Sequence, residues 1–211
     1  MMKFKNRFWL TGIMSLLIIT SCEKETEHVS KEVKVSFPTI ALNGDPVVKL
    51  AIGASYTDAG AKLTDDISGA VSDIQPSSND VNTAEPGLYV VNYSAANANG
   101  FEANAARIVA VTNVTGTPDR SGVYTRTATG VDCIVTKITD GLYKVQNPGG
   151  AGVGTNIVVY FVEVEPNVFV CPPQPTPDGP FGVIEINFTA SGATWRVQNA
   201  GYGTGVRTFV K

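Results

Sequence analysis

The sequence predicts an all-β fold, arranged as two small antiparallel β domains in line. Apolar and polar residues alternate at a period of two, and Gly, Pro, Asn and Asp interrupt these runs at short intervals. No stretch after the first 21 residues shows sustained helical periodicity. Short strands at such spacing are typical of sandwiches and barrels.

Residues 1–21 have the three-part order of a secretory signal. Lys3, Lys5 and Arg7 precede an apolar stretch that runs from Phe8 to Ile19. That stretch holds about a dozen residues, whereas a helix that crosses a bilayer needs roughly 20. We therefore expect a signal peptide that is removed, and no stable transmembrane helix.

The segment Ile19-Thr20-Ser21-Cys22 resembles the lipobox of bacterial lipoproteins, in which the signal is cut just before a cysteine whose thiol is diacylated. The resemblance implies that Cys22 is lipidated and that the membrane is a partner through this lipid anchor. Each buried CH₂ group of an acyl chain adds about 0.8 kcal/mol, so several chains hold a protein firmly to a bilayer. The alternative is an ordinary signal followed by a coincidental cysteine.

Residues 22–32 are polar and mostly acidic, and they predict a flexible tether with too little apolar surface to fold. Acidic residues with Lys24 directly after the cysteine resemble the export signal of Bacteroidetes surface lipoproteins. The resemblance implies an outer-membrane, lipid-anchored protein at the cell surface, with the periplasmic face as the alternative.

Charge and histidine content exclude several classes of function. Loss of residues 1–21 removes three of the 16 basic residues and none of the 19 acidic ones, so the mature chain is clearly acidic and nucleic acid is not an expected partner. The one histidine, His28, lies in the tether, where it cannot support a nucleophile. Glu163 and Glu165 are two apart on one strand and are expected on the same face, which does not suit a glycosidase. We expect no enzyme activity and no cofactor.

The first domain, residues 33–113, contains a pattern that resembles the immunoglobulin-like (Ig-like) domains of unknown function in bacterial surface proteins. Matching residues fall in three groups: Tyr56, Asp58, Gly60 and Ala61; Pro86, Gly87, Tyr89, Val91 and Tyr93; Arg107, Val109 and Val111. The resemblance implies an Ig-like β-sandwich. Tyr89, Val91 and Tyr93 alternate along one strand, so we expect all three on its core side.

Three carboxylates in this domain lack the spacing of a calcium loop. Asp58, Asp65 and Asp66 therefore predict a solvated loop, and no metal site is expected. The family usually has an aspartate in the turn after the second tyrosine, where this chain has Asn97. This difference further disfavours a cation site.

The second domain, residues 117–211, follows a boundary at residues 113–122 that is rich in turn residues. It is predicted as a sandwich or a partly open barrel. It resembles a C-terminal module of Bacteroidetes lipoproteins, some of them associated with starch-utilisation-type glycan uptake systems. Glycines at positions 149, 150, 152 and 154 predict a flexible hairpin tip, because no helix follows them to build a phosphate site.

Two further features of this domain are its cysteines and a proline-rich segment. Cys133 and Cys171 each lie in a strand-like run, and they either form a disulfide between adjacent strands or remain reduced and buried. Five prolines between Cys171 and Pro180 predict a stiff loop, since so many prolines are not expected in a central strand.

Sugar-binding surfaces use an exposed aromatic ring with amides and carboxylates nearby. The second domain supplies candidates of both kinds: Tyr202, Trp195, Gln198, Asn199, Phe181 and Asp178. Trp195 shares a strand face with Ala193 and Val197 and therefore has a core interpretation as well. Tyr202 lies between two glycines in a loop and is the better candidate for exposure.

These observations together predict a lipid-anchored surface protein that binds extracellular polysaccharide without catalysis, as an accessory to an uptake system. The alternative is a module that docks an outer-membrane transporter complex or another surface protein, or that has an adhesive or structural role, without binding sugar.

Overall fold

The structure, a computed structural model, describes residues 35–211, which form fourteen β-strands and no helix. The all-β prediction is confirmed for this part of the chain, and none of it could cross a membrane as a helix. The predicted signal peptide, Cys22 and the tether at 22–32 lie outside the described residues. The strands are β1 Thr39–Leu42, β2 Val47–Leu50, β3 Ala61–Thr64, β4 Val71–Ile74, β5 Gly87–Ala96, β6 Glu102–Val111, β7 Gly122–Arg126, β8 Asp132–Thr139, β9 Leu142–Gln146, β10 Val158–Glu165, β11 Val168–Gln174, β12 Phe181–Phe188, β13 Gly192–Gln198 and β14 Arg207–Val210.

The first six strands form an Ig-like sandwich of two three-stranded sheets. One sheet has the order β1-β3-β4 and the other β2-β6-β5, in which β2 runs parallel to β6. Val91 and Tyr93 are buried between the sheets and Tyr89 packs beside them half-buried, so the predicted core side of β5 is confirmed.

A buried ion pair between Asp58 and Arg107 lies in the sandwich, where both side chains are almost completely shielded from solvent. The Asp58 carboxylate also accepts hydrogen bonds from the hydroxyls of Tyr56 and Tyr93 and from the backbone N–H of Gly60. Burial alone opposes ionisation of Asp58, but these bonds and Arg107 outweigh it and lower the pKa of the carboxyl. The expectation that Asp58 belongs to a solvated loop was wrong, because the motif residues converge on it.

The last eight strands form a closed antiparallel barrel in simple chain order, with β14 paired to β7. The second domain is therefore a barrel and not a sandwich, and the barrel is closed where a partly open one was predicted. The interior is filled by large side chains, which include Tyr124, Tyr143, Phe161, Trp195 and Phe209. These rings contact one another or the neighbouring rings of Phe169 and Phe188 at centroid distances of 4.2 to 6.5 Å, so the barrel has a solid core.

One barrel strand passes through two of the prolines. Strand β11 includes Pro172 and Pro173, which cannot donate backbone hydrogen bonds, and its pairing with β12 shifts register there. The buried side-chain amide of Gln174 compensates by accepting from Tyr160 N and donating to Tyr160 O, each at 2.9 Å. The predicted stiff loop is therefore shorter than expected and begins after Gln174.

Cys133 and Cys171 are both free thiols buried in the barrel. Cys133 lies on β8 and Cys171 on β11, two strands that are separated by β9 and β10. The two cysteines form no disulfide, so of the two alternatives the reduced, buried one is observed. Burial raises the pKa of both thiols far above the usual range.

The first half of the glycine-rich segment is packed, whereas Gly152 and Val153 are exposed. Asn147, Pro148, Gly149 and Gly150 are all buried and fold across one end of the barrel. The Nε1 atom of Trp195 donates to the carbonyl of Pro148 at 2.7 Å, which ties the segment to the core. The prediction of a flexible tip was wrong for Gly149 and Gly150, because this contact comes from a distant strand.

The sandwich and the barrel lie in one compact unit that extends from Ser36 to Lys211. Their shared apolar cluster joins Leu88, Ile108 and Ala110 of the sandwich to Leu142 and Val162 of the barrel. Polar contacts reinforce it: Thr112 Oγ1 donates to the Glu163 carbonyl at 2.6 Å, and Lys49 Nζ donates to the Asp140 carbonyl at 2.6 Å.

Replacement of Leu88 by aspartate is expected to uncouple the two parts. An unpaired carboxylate in this apolar cluster costs several kcal/mol, so the parts should no longer unfold together. In a chain that begins at Cys22, Trp195 in the barrel is the single tryptophan, and its fluorescence reports that part alone. In urea, the fluorescence and far-ultraviolet circular dichroism curves should coincide for the native chain and diverge for Leu88→Asp.

Val71→Asp provides the matched control, because Val71 is 59% exposed on strand β4 of the other sheet. Its two unfolding curves should stay coincident. Coincident curves for Leu88→Asp as well would show that the cluster does not couple the two parts.

A candidate binding cleft at the barrel mouth

A cleft of about 600 Å³ lies at one end of the barrel, beside the buried glycine segment. It brings together three of the residues selected from the sequence, Asp178, Asn199 and Tyr202, although 24 positions separate the first from the last. The full lining consists of Arg126, Ala151, Val153, Asp178, Pro180, Asn199, Ala200, Gly201, Tyr202 and Arg207.

Tyr202 presents a half-exposed ring to this cleft. Its ring packs edge-on against Phe181 at a centroid distance of 5.1 Å, and its hydroxyl donates to Asp178 Oδ2 at 2.8 Å. Burial and this carboxylate raise the pKa of Tyr202 to about 12, so the hydroxyl stays protonated at neutral pH. The expectation that Tyr202 is accessible therefore has a structural basis.

Two glycines make room for the Tyr202 ring. A Cβ atom at Gly154 would lie 1.8 Å from the tyrosine hydroxyl, and one at Gly149 would lie 2.9 Å from the ring. Gly154 also has a φ of +66°, which disfavours other residues. The glycine-rich segment that the sequence predicted as a mobile tip thus supports the ring of Tyr202.

Asn199 organises the loop that carries Tyr202. Its side-chain amide donates to the carbonyls of Asp178 at 3.1 Å and Pro180 at 3.0 Å, and its Oδ1 accepts from Gly201 N at 2.9 Å. These bonds connect the loop before β14 to the end of the proline-rich loop. Asn199 therefore holds the Tyr202 loop in place, and both hydrogens of its amide are already donated to backbone carbonyls.

Two arginines that the sequence did not indicate as site residues, Arg126 and Arg207, complete the cleft. Arg207 is buried, with 4% exposure, and its Nε donates to the Gly149 carbonyl at 3.0 Å. Arg126 Nη1 donates to the same carbonyl at 3.1 Å, so the two guanidinium groups are neighbours. Burial and the positive charge of Arg126 lower the pKa of Arg207. Neither forms an ion pair with any residue in the described range 35–211.

The alternation of inward and outward residues along β7 and β14 could have identified both arginines as candidate site residues. Arg126 is two residues after buried Tyr124, and Arg207 is two residues before buried Phe209, so each occupies an inward register. A charged residue on the inner face of a predicted strand is unusual without a partner or a role.

Three of the other sequence candidates lie elsewhere. Trp195 is fully buried in the barrel, and Phe181 is fully buried beneath Tyr202, so neither can stack on a ligand. Their prediction as binding residues was wrong, because both rings point into the barrel rather than outward. Gln198 is exposed at the end of β13 and lines a neighbouring groove with Ile184, outside this cleft.

The expected same-face pair of glutamates is absent from strand β10. A register shift lies between Glu163 and Glu165, and it turns Glu163 inward while Glu165 remains exposed. Glu163 accepts hydrogen bonds from Thr117 Oγ1 and Asn167 N, both at 2.7 Å. Its carboxylate therefore serves the packing of the barrel end opposite to the cleft.

The fold places the protein in a structural class in which an Ig-like domain of the bacterial surface type is joined to an eight-stranded antiparallel barrel. Residues 40–111 match the family model described as bacterial surface protein, Ig-like domain, and this range corresponds to β1 through β6. No curated protein matches the chain. Among solved structures, a lipoprotein from Bacteroides thetaiotaomicron matches at 23% identity over 83% of this chain and 100% of its own, with a TM-score of 0.35.

Proposed function

We propose that this protein is a lipid-anchored binding protein of the bacterial cell surface whose barrel mouth takes up extracellular glycan without catalysis. The observation that carries the proposal is the convergence of Tyr202, Asp178 and Asn199 in one open cleft. A half-exposed ring beside a carboxylate and backbone carbonyls is the combination that binds the apolar face and the hydroxyls of a sugar.

The sequence and the first domain support the proposed location. Cys22 and the residues before it favour a lipid anchor, and residues 40–111 are of a type found in bacterial surface proteins. Chain order places the barrel distal to Cys22 in sequence. We propose the outer membrane as the site of attachment and an uptake system as the setting in which the bound glycan is used.

Affinity electrophoresis against a panel of neutral and acidic polysaccharides tests this function. The chain from Cys22 onward with Cys22→Ser, which prevents acylation, should be retarded by at least one polymer. Tyr202→Ala should abolish the retardation because it removes the ring, whereas Tyr202→Phe should keep most of it. The matched control is Val206→Ala, an exposed residue of the same loop that does not line the cleft.

The opposite result is equally clear. Absence of retardation by every polymer, together with one stoichiometric protein partner recovered from cross-linked membranes, would favour a docking function in place of sugar binding. Melting curves of each variant distinguish loss of a contact from loss of the fold.

A further inference from the structure

The two arginines of the cleft carry charge that the protein itself does not neutralise. The guanidinium groups of Arg126 and Arg207 donate only to backbone carbonyls, those of Gly149, Gly150, Tyr202 and Gly205. The one carboxylate in the lining, that of Asp178, accepts from Tyr202 instead. Within residues 35–211, Arg126 Nε is buried without a hydrogen-bond partner, and no partner is found for Arg126 Nη2.

A purely structural role does not account for two cations in this place. Neutral amides could donate to the same carbonyls without the cost of desolvating charge. Two neighbouring guanidinium groups also repel each other, and the repulsion is stronger in a partly buried site than in water. An oxyanion in the cleft would offset both costs.

The chemistry of the side chain indicates which group would fit. A guanidinium presents a planar fork of donors that matches carboxylate and sulfate oxygens. The positive charge is local, because the chain as a whole has a formal net charge of −3 that becomes more negative when the basic signal is removed. General attraction of acidic polymers to the protein surface is therefore not expected.

We propose that the barrel-mouth cleft is selective for acidic glycans, with Arg126 and Arg207 binding a carboxylate or sulfate group of the sugar that packs beside Tyr202. This inference rests on the proposed glycan-binding function of the same cleft and specifies its ligand class. Arg207 holds Gly149 at the base of the site, and Arg126, which lines the cleft, contributes Nη2 as the donor to the ligand.

Matched polymers test the selectivity. The chain with Cys22→Ser is compared for retardation by dextran, carboxymethyl dextran and dextran sulfate, which share one backbone and differ in charge. Polygalacturonate and its fully methyl-esterified form provide a second charged and neutral pair. We expect retardation by the charged member of at least one set and at least tenfold weaker binding to its neutral form. The two charged dextrans distinguish a carboxylate ligand from a sulfate ligand.

Variants assign the effect to the cleft. Arg126→Gln should weaken binding to the charged polymer by about tenfold or more, since a charge-assisted bond is lost. Arg196→Gln is the matched control, because Arg196 is a barrel arginine paired with Glu185 at 2.7 Å and does not line the cleft. Arg207→Gln should act like Arg126→Gln, and Arg126→Gln alone decides the question if Arg207→Gln does not fold.

A thermal measurement gives a second readout. Free glucuronate or inorganic sulfate should raise the melting temperature of the native chain and of Arg196→Gln, but not that of Arg126→Gln. Equal binding of charged and neutral polymers would overturn the selectivity and leave glycan binding in place. Binding to no polymer at all would overturn both. Charged-polymer binding that survives Arg126→Gln would also contradict the assignment.

Discussion

Arg107→Ala is expected to destabilise the protein by about 3–5 kcal/mol, because it leaves the buried carboxylate of Asp58 without its cation. The same substitution removes donors to the backbone carbonyls of Asn43, Asp45 and Gly60. Domains of this size have about 5–15 kcal/mol in total, so the loss would be large. Urea denaturation followed by circular dichroism measures it.

The matched control for this prediction is a surface ion pair in the same sandwich. Lys62 and Asp73 are joined at 2.8 Å, but their side chains are 51% and 72% exposed. Lys62→Ala should therefore cost less than about 1 kcal/mol. Similar small costs for both variants would contradict the assignment of Arg107 to a buried network.

The pH dependence of the native chain provides a check on the same network. The pKa of Asp58 is lowered in the folded state, so its contribution to stability is complete above the ordinary carboxyl pKa and is lost as the pH falls toward the folded value. The native chain should thus lose stability below about pH 4, where free aspartate begins to protonate. Asp58→Asn should be less stable at neutral pH and should lose less on acidification.

Trp195→Ala is expected to cost about 3–5 kcal/mol, through the cavity that it leaves in the barrel. The ring stacks on Phe209 at 4.2 Å, and the variant also loses the hydrogen bond to the carbonyl of Pro148. Because the barrel packs as one aromatic cluster, neighbouring rings cannot fill the space without shifting. Thermal unfolding followed by circular dichroism measures the loss.

Val210→Ala is the control for Trp195, since Val210 is 51% exposed on the outer face of β14. It should change the melting temperature little. Trp195→Phe should fall between the two, because it keeps a ring but not the donor. A melting temperature of Trp195→Ala equal to that of the native chain would place the ring outside the core.

The sequence predicted those features that depend on residues close together in the chain, and missed those that depend on contacts between distant segments. Strand alternation placed Val91 and Tyr93 in the core correctly, and the glycines beside Tyr202 pointed correctly to an accessible ring. Alternation also left a core interpretation open for Trp195, which the structure adopts. Arg126 and Arg207 occupied inward positions that the same rule would have flagged.

Other features depended on contacts that no local pattern contains. Closure of the barrel requires β14 to pair with β7 across more than 80 residues, through Phe209 with Arg126 and Val210 with Thr125. Residues 147–150 are buried only because Trp195, on a distant strand, and Tyr202, in a distant loop, contact the glycine segment. The bulge in β10, which separates Glu163 from Glu165, likewise depends on its pairing with β11.

The sequence by itself determined the all-β class and the Ig-like character of the first domain, since these depend on alternation and short motifs. The export address remains a prediction from the sequence. Tertiary structure alone decided that the second domain closes into a barrel, that Asp58 is buried against Arg107, and that Tyr202 shares a cleft with two arginines. The physical reason is that alternation along a strand determines the face on which a residue lies, whereas pairing between distant strands determines which residues pack against that face.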